Sequence, residues 1–403
     1  MSWKYSVRFS LALLLLSTTA FAATPLPSGT EIHVNVSAHG LHFDPTTAVF
    51  PDGGFVVVWT NGPASGGRTV LHARLFAADG SPASGEFRLT EPAAGSQHAD
   101  QVVADRDGSF LVAWSEERGP GGPTDVFVRR FGRDGTPGRQ ILANEDRSFS
   151  RFRGRLAVGT EGRFAVAWTA VQFRNFAYEN AMVRVFHADG TPAGDEILVA
   201  QGDPGIGDDT LNETPSGVAL EPDGSLSVLY EDRTFPPSNR VYLVHYSIRG
   251  GVSARVLLTP DSSQFIDFGS SLAMTPDGSL VTAWSGDFEA MAARFTRRGV
   301  RQGGAFSLDK RFVGNQNAPA VAALPDGGFV AVWVEADRDG SGPGVFGRVF
   351  AADGTPLSRD LRMNVTTAGS QDSPAIAANR HGPVVVVWQQ DGTNLFARLW
   401  TSR

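Results

Sequence analysis

The sequence predicts an all-β fold, a seven-bladed β-propeller built from four-stranded antiparallel blades. Three observations lead to this prediction. The chain has 46 Gly and 24 Pro among 403 residues, too many helix-breaking residues for a helical protein. Its hydrophobic fraction of 41% is too high for a disordered chain. Finally, one motif of about 54 residues occurs seven times in succession, which is typical of repeat architectures.

Each copy contains a turn followed by an apolar run that ends in an aromatic residue. These residues are Trp59, Trp114, Trp168, Tyr230, Trp284, Trp333 and Trp388, at intervals of 55, 54, 62, 54, 49 and 55 residues. The last turn departs from the common Asp-Gly or Glu-Gly form and reads His381-Gly382. Because the copies fill residues 23–403, we expect one domain there.

The copy from Pro319 to Asn364 shows how one blade is built. It reads as four extended segments, and an Asp-Gly turn joins the first two, which is a strong signal for a β-hairpin. The second segment is apolar at nearly every position, as expected for a sheet buried on both faces. Copies arranged in a ring bury both faces. An array of immunoglobulin-like sandwiches is the alternative, but each sandwich requires about 100 residues.

The chain termini are expected to close the ring. The last copy ends after its third segment, residues 395–400, and has no fourth. The segment 31–36 resembles the fourth segment of the other copies. We therefore predict that strand 31–36 pairs with strand 395–400, which removes the open edge of the ring.

Residues 1–22 have the pattern of a secretory signal peptide. Lys4 and Arg8 precede an apolar run at 11–16, and Ala20-Phe21-Ala22 provides a small-residue cleavage site. The apolar run is too short for a membrane span, which needs about 20 residues. No Cys follows the cleavage site for lipid attachment. We therefore expect a secreted or periplasmic protein.

Composition also limits the partners and the chemistry. The net charge of −7 argues against nucleic-acid binding, because phosphate contacts need a basic surface. The absence of Cys excludes disulfides, thiolate nucleophiles and Cys-based metal sites. No later segment is apolar enough to cross a membrane. We expect a monomer that needs no cofactor, apart from the calcium alternative described below.

The repeat itself resembles a known kind of protein. The best copy reads P-A-V-A-A-L-P-D-G-G-F-V-A-V-W from Pro319 to Trp333, then R-V-F-A-A-D-G-T-P from Arg348 to Pro356. It resembles bacterial secreted repeat proteins of the pattern P-x-V-A-x-L-x-D-G-G-F-V-V-x-W and R-x-F-x-x-D-G-x-P, over nearly the whole chain after residue 22. The resemblance implies a seven-bladed propeller of largely unassigned role. The Ser-x-Asp-x-Gly-x-x-Trp box of sialidase-like propellers is absent.

Two sets of recurring residues are interpreted as structural. The aromatic residues that end the second segments are expected to pack between blades. An arginine also recurs on third segments, and its stem is expected to pack between blades with its head paired. These arginines are Arg74, Arg129, Arg184, Arg348 and Arg398.

Two weak metal-site candidates arise from side-chain chemistry. His39, His42 and Asp44 precede blade one, while His98 and Asp100 occupy the equivalent position before blade two, and these side chains could together bind a metal ion. Separately, Glu335, Asp337 and Asp339 alternate as in a calcium loop, but the distal bidentate Glu of such a loop is missing. Solvated loop side chains are the alternative explanation for both groups.

The main binding candidate comes from enlarged loops around blade three. These loops join strands on one face of the ring and are rich in aromatic residues and arginine, which are common at recognition surfaces on rigid scaffolds. The predicted binding patch comprises Arg147, Phe149, Arg151, Phe152, Phe173, Arg174, Phe176 and Tyr178. The alternative is that these rings pack the long loops onto themselves.

These features favour a secreted, non-enzymatic binding or scaffold propeller that recognises a protein or a glycan through loops of blades two to four. The alternative is a polysaccharide-acting hydrolase or lyase that uses carboxylates on the same face, with or without calcium. No nucleophile elbow, phosphate loop or dinucleotide motif is present. Carboxylates or histidines clustered at the central channel would favour the enzyme, and an apolar channel mouth would favour binding.

Overall fold

The computed structural model describes residues 26–401 apart from residues 38–39, 92, 174–176, 201–212, 235–237, 248–250, 260–268, 311–313, 337 and 380–382. The described residues form seven four-stranded antiparallel sheets. Apart from a 3₁₀ turn at Thr160–Gly162, they contain no helix. The predicted all-β seven-bladed architecture is therefore confirmed.

The strand boundaries follow the repeat. The strands of blades one to three are β2 (Leu41–Val49), β3 (Phe55–Gly62), β4 (Val70–Phe76), β5 (Phe87–Arg88), β6 (Gln97–Ala104), β7 (Phe110–Glu117), β8 (Thr124–Phe131), β9 (Pro137–Leu142), β10 (Arg151–Val158), β11 (Phe164–Phe173), β12 (Ala177–Phe186) and β13 (Ile197–Ala200). Those of blades four to six are β14 (Glu213–Leu220), β15 (Leu226–Thr234), β16 (Ser238–Tyr246), β17 (Val252–Leu257), β18 (Ser270–Met274), β19 (Leu280–Gly286), β20 (Glu289–Phe295), β21 (Phe306–Ser307), β22 (Gln316–Ala323), β23 (Phe329–Glu335), β24 (Gly344–Phe350) and β25 (Leu361–Arg362). Blade seven contains β26 (Gln371–Ala377), β27 (Val384–Gln390), β28 (Asn394–Thr401) and β1 (Leu26–His33).

The first strand of each blade is innermost. These first strands contact one another from blade to blade around the whole ring, since β2 contacts both β6 and β26. We call the face at which the first strands begin the entry face. The connections between second and third strands emerge on the same face. The hairpin turns that join first to second strands lie on the opposite face.

The turn between first and second strands explains the recurring Pro-Asp-Gly-Gly sequence. In blade one, the Gly53 amide donates to the Phe50 carbonyl at 2.9 Å, and the Asp52 carboxylate accepts from the Gly54 amide at 2.9 Å. Gly53 has φ of +87°, a left-handed conformation that is unfavourable for residues with a side chain. The turn chemistry is therefore encoded locally and repeated around the ring.

Pairing of the chain termini closes blade seven as predicted, although the first strand begins earlier than expected. β1 pairs antiparallel with β28, with Pro27 opposite Trp400 and Ile32 opposite Ala397. The ladder then continues past the end of the strand, since the Val34 amide donates to the Leu395 carbonyl at 2.8 Å. The outermost strand of the last blade thus comes from the start of the chain.

The recurring aromatic residues form the packing layer between blades. Trp333 is fully buried and lies in a cluster that combines blade five with blade six, where it packs with residues such as Val281 and Phe346. The tryptophans at the equivalent positions of the other blades, and Tyr230 in blade four, are buried as well. Packing between neighbouring blades is thus the role of this layer.

Replacing Trp333 with Ala is expected to lower the free energy of unfolding by about 3–5 kcal/mol, because the change leaves a large cavity between two blades. Urea denaturation followed by circular dichroism measures this loss. Leu357→Ala in the same blade is the matched control, since Leu357 is about half exposed and should change stability little. Equal stability of the two variants would contradict the packing role of Trp333.

The recurring arginines connect third strands to neighbouring backbone. Arg348 donates from Nε to the Ser358 carbonyl at 2.9 Å, and its guanidinium lies 5.6 Å from the centre of the Phe350 ring. Arg74 also reaches the closing segment, since its Nη1 donates to the Val34 carbonyl at 2.9 Å. Arg348 Nη1 also donates to the Leu308 carbonyl of blade five at 3.4 Å. Both arginines therefore connect neighbouring blades, in agreement with the structural interpretation.

Candidate functional site

A β-bulge near the start of the first strand shapes the entry face. In every blade except blade five, the pairing of the first and second strands shifts register there. Three of the bulges place Asp44, Asp100 and Arg153 at the mouth of the central channel. Asp44 and Arg153 have φ of 52° and 60°, which is uncommon for residues with a side chain. Bulges often redirect side chains beside functional sites.

The side chains of four blades line an open cleft of about 630 Å³ on this face. We call it the entry-face cleft. Blades one and seven contribute Asp44, Pro45, Ser373 and Pro374, blade two contributes His98, Ala99, Asp100, Ser115 and Thr124, and blade three contributes Ser150, Phe152, Arg153 and Arg155. Charged, hydroxyl and aromatic groups therefore converge on one volume, as in many ligand sites.

Among the carboxyl groups of the cleft, Asp100 is the one whose acidity the surrounding protein changes most clearly. Burial raises the pKa of Asp100 to about 6, and the nearby Asp44 charge adds to the rise. The Ser115 hydroxyl donates to Asp100 Oδ2 at 2.6 Å, and this hydrogen bond and the positive charge of Arg155 limit the shift. Asp100 can therefore exchange a proton close to neutral pH.

Three polar side chains of the cleft are available to a ligand. Within the described part of the chain, the Asp44 carboxylate and the His98 imidazole form no hydrogen bond, and Arg155 forms no ion pair. Arg155 donates only to backbone carbonyls, those of Asp100 at 3.4 Å and Gly154 at 3.3 Å. Burial raises the pKa of Asp44, although the positive charges of Arg155 and Arg153 oppose the rise.

The predicted binding patch is only partly in this cleft. Phe152 lines the cleft and is half-buried, with the Arg153 guanidinium 5.6 Å from its ring centre. Phe149 is half-buried nearby in sequence, whereas Tyr178 is buried and donates to the Gln172 side chain at 2.8 Å. The Phe173 side chain, Arg174 and Phe176 lie outside the described residues.

Two arginines of the patch are engaged inside the protein. Arg151 is only 1% exposed and pairs with Asp146 at 2.6 Å. Arg147 is exposed but donates to the buried carboxylate of Asp125 at 2.5 Å. The sequence suggested surface-facing arginines here, but the fold uses both charges to order the connection that leads into blade three.

The predicted metal-ligand sets are not assembled in the described residues. His42 is buried and its Nε2 lies 3.0 Å from the Ser37 carbonyl, while His98 faces the cleft and His39 lies outside the described residues. No group of three His, Asp or Glu side chains that could hold a metal ion occurs in the part of the chain that the structure describes.

The calcium-like loop of blade six is held by protein donors. Arg338 Nη1 donates to Glu335 Oε2 at 2.6 Å, and the Asn364 side-chain amide donates to Asp339 Oδ2 at 2.7 Å. Asp337 lies outside the described residues. A calcium ion would have to compete with the Arg338 guanidinium for the Glu335 carboxylate.

Sequence reasoning missed Arg155 and the charged character of the channel mouth. It expected mainly small or apolar residues where first strands begin, and Pro45 and Pro374 fit that expectation. The central channel itself, with a volume of about 570 Å³, is lined mostly by small and apolar residues such as Val102, Val321 and Ile376. The charged groups lie at the two ends of the channel, with Asp44, Asp100, Arg153 and Arg155 at the entry-face mouth and Asp105 and Arg106 at the other end. A proline follows the bulge residue in blades one, six and seven, but Gly154 occupies this position in blade three, so the sequence does not mark the bulge that carries Arg153.

The described part of the chain has no helix of the length and apolarity needed to cross a membrane. No protein family and no curated protein matches the sequence.

Solved structures of similar architecture are nevertheless found. A protein of unknown function from Dyadobacter fermentans DSM 18053 matches with a TM-score of 0.54 and 14% identity, over 94% of this chain and all of that one. A polysaccharide lyase described as a PL25 ulvan lyase matches with a TM-score of 0.51 and 12% identity, over 80% of this chain and 81% of that one. The NanB sialidase of Streptococcus pneumoniae matches with a TM-score of 0.48 and 8% identity, over 93% and 70% of the two chains. At these identities, the similarity to the first two structures shows that the chain shares their overall fold.

Proposed function

We propose that this protein is an exported propeller that binds a saccharide in the entry-face cleft. The observation that carries the proposal is the convergence of the Asp44 carboxylate, the His98 imidazole and the Arg155 guanidinium on one open volume. Among the residues that the structure describes, none of these three groups forms an ion pair or a side-chain hydrogen bond. Polar groups left accessible at one place on a rigid ring are well suited to hold a ligand.

The rest of the cleft supports a saccharide as the ligand. Hydroxyl groups of Ser150 and Ser373 line the cleft beside the charged groups, and together they could match the many hydroxyls of a sugar. Phe152 adds a half-buried aromatic ring, which can cover the apolar face of a pyranose. A protein ligand, the other partner expected from the sequence, would instead require an extended contact surface.

Catalysis on the same saccharide is the second candidate function. It is favoured by one specific observation, the carboxyl pair of Asp44 and Asp100 beside His98. A carboxyl with a pKa of about 6 can donate or accept a proton near neutral pH, which is what polysaccharide hydrolysis or elimination requires of an acid–base group. The similarity in fold to a polysaccharide lyase is consistent with this candidate.

A binding screen with neutral and acidic tetrasaccharides tests the proposal. Phe152→Ala is expected to weaken the affinity of the bound saccharide by about ten-fold, because the aromatic wall of the cleft is lost. Phe288→Ala is the matched control, since Phe288 is about half exposed on blade five, away from the cleft. Isothermal titration calorimetry measures both affinities.

Two readouts separate the possible outcomes of this screen. Absence of binding to every saccharide, or equal affinity of the Phe152→Ala and Phe288→Ala variants, would contradict the proposed cleft. Chromatography of the saccharide after prolonged incubation distinguishes the two candidates, because only an enzyme releases shorter products. Such products should disappear in the Asp100→Asn variant.

A further inference from the structure

We propose that the entry-face cleft selects acidic saccharides, and that Arg155 and Arg153 bind the carboxylate of the sugar. This inference rests on the proposed function, because it specifies the class of saccharide that the same cleft takes. It concerns two arginines on the first strand of blade three, which are distinct from the arginines that recur on third strands. The ligand would be an oligosaccharide that contains uronic acid units.

The first argument is the unneutralised charge of Arg155. Other arginines in this part of the ring pair directly with carboxylates, as Arg147 does with Asp125 and Arg151 with Asp146. Arg155 is half-buried yet forms no ion pair among the described residues, and its donors reach backbone carbonyls at 3.3–3.4 Å. The carboxylates of Asp44 and Asp100 lie near enough to act on Arg155 electrostatically but do not pair with it directly. A partly desolvated guanidinium without a direct ion pair can bind an anion, and its planar fork matches a carboxylate.

The second argument is the backbone conformation of Arg153. Its φ of 60° lies in the left-handed region, where a residue with a long side chain is strained by roughly 1 kcal/mol or more. Glycine would adopt this conformation without strain. The chain nevertheless has an arginine at this point of the bulge, and its side chain lines the cleft. The same conformation occurs at the equivalent bulge residues Asp44, Ala318 and Ser373, so it belongs to the bulge of the fold. What distinguishes blade three is that its bulge carries a long cationic side chain into the cleft.

The third argument is the balance of charge within the cleft. Asp44 and Asp100 face Arg153, Arg155 and His98, with the neutral Ser115 hydroxyl and Gly154 amide completing the surroundings of Asp100. When Asp100 gains a proton, the cleft loses one negative charge and becomes more attractive to an anion. A sugar carboxylate stays ionised above about pH 4, so it can benefit from this change.

The test compares tetragalacturonate with its fully methyl-esterified form, in which each carboxylate is replaced by a neutral methyl ester. Isothermal titration calorimetry at about pH 5.5 is expected to give at least ten-fold tighter binding of the acid form. At about pH 8, this preference should shrink several-fold, and the Asp100→Asn variant should reduce its dependence on pH. Raising the salt concentration should also weaken binding of the acid form only.

Variants identify the residues responsible. Arg155→Gln should lose at least ten-fold in affinity for tetragalacturonate, whereas Arg139→Gln, which removes the same charge from an exposed position on β9, should not. Arg153→Gly should fold normally, because glycine accepts the local backbone conformation, yet bind the acid form several-fold more weakly. A melting temperature measured for each variant shows that it is folded, and Arg155→Lys is used if Arg155→Gln unfolds.

Each outcome bears on one proposal. If the acid and the ester bind with equal affinity, and the Phe152→Ala variant binds both more weakly, the proposed selectivity for acidic saccharides is overturned. The proposed saccharide site is then still supported. Equal affinity of Arg155→Gln and Arg139→Gln for tetragalacturonate would overturn the assigned role of Arg155. If neither form of tetragalacturonate binds, and no tetrasaccharide of the wider panel binds, the proposed function itself is overturned.

Discussion

Replacing Val34 with Asp is expected to prevent stable closure of the ring. Val34 is fully buried in the cluster between blades seven and one, and its amide and carbonyl hydrogen-bond to Leu395 and Arg74. A carboxylate at this position would lose its hydration without gaining a partner, which costs several kcal/mol. Because a folded domain is stable by only about 5–15 kcal/mol, this single change should remove much of the stability.

A nearby control isolates the effect of burial. Val36 lies two residues further along the chain and is 61% exposed, so Val36→Asp introduces the same charge in nearly the same segment without burying it. Thermal unfolding followed by circular dichroism should show a large fall in the melting temperature for Val34→Asp and little change for Val36→Asp. Deleting residues 23–36 should have an effect at least as large as Val34→Asp. Unchanged melting of the deletion variant would rule out closure by the N-terminal segment.

Stability should also depend on pH through Glu213, at the start of β14. Glu213 is 6% exposed, and its Oε2 is buried without a hydrogen-bond partner. Burial raises the pKa of this carboxyl to about 8, and the negative charge of Asp232, its partner in the ladder, contributes to the rise while Arg255 opposes it. The folded protein therefore favours the protonated form of Glu213.

The sign of the effect follows from proton binding. Between the model-peptide pKa of 4.5 and the folded-state value of about 8, the folded chain holds a proton at Glu213 that the unfolded chain has released. The contribution of this group to stability is thus fully present below about pH 4.5 and is lost as the pH rises through about 8. Glu213→Gln removes the ionisation and should stabilise the protein by on the order of 2–3 kcal/mol at about pH 8.5.

Urea denaturation of the Glu213→Gln variant at about pH 5 and pH 8.5 measures this prediction. The gain over the unmodified protein should be large at the higher pH and small at the lower one. Glu91→Gln provides the control, since Glu91 is exposed and lies far from Glu213 in the sequence, on blade one. An equal gain at both pH values would show that ionisation of Glu213 is not its cause.

Most of the fold could be predicted because its determinants are local and repeated. The turn, which is Asp-Gly in five of the seven copies, the apolar second strand and the aromatic residue at its end lie within about fifteen residues of one another, and the repetition reinforces one pattern. The closing strand was also identifiable, because the last copy lacks a fourth segment. Its start was placed too late, since β1 begins at Leu26, where the sequence offers no distinctive pattern.

The candidate site could be predicted only in part. Asp44, His98 and Asp100 were identified as possible companions because they occupy equivalent positions in adjacent copies, and the structure places all three beside one cleft. Of the described residues of the predicted binding patch, only Phe152 lines the cleft that we propose as the ligand site. Arg151 was expected at the surface and is buried, whereas Arg155, four residues later, lines the cleft.

The difference between these arginines has a definite physical origin. Alternate residues of a strand face opposite sides of the sheet, so a shift of one residue exchanges the two faces. The bulge between Phe152 and Arg155 introduces such a shift and places Arg153 in a left-handed conformation. Blade three has Gly154 where blades one, six and seven have a proline after the bulge residue, so the local sequence of blade three gives no sign of this shift.

The amino-acid sequence by itself therefore determined the number of blades, their turns, the aromatic packing layer and the pairing of the chain ends. Each of these depends on short-range patterns or on counting copies. Only the tertiary structure decided which charged groups meet, because Asp44, Asp100, Arg155 and Ser373 come from four different blades. The same holds for the raised pKa values of Asp100 and Glu213, since the loss of water around a carboxyl is set by every element that packs against it.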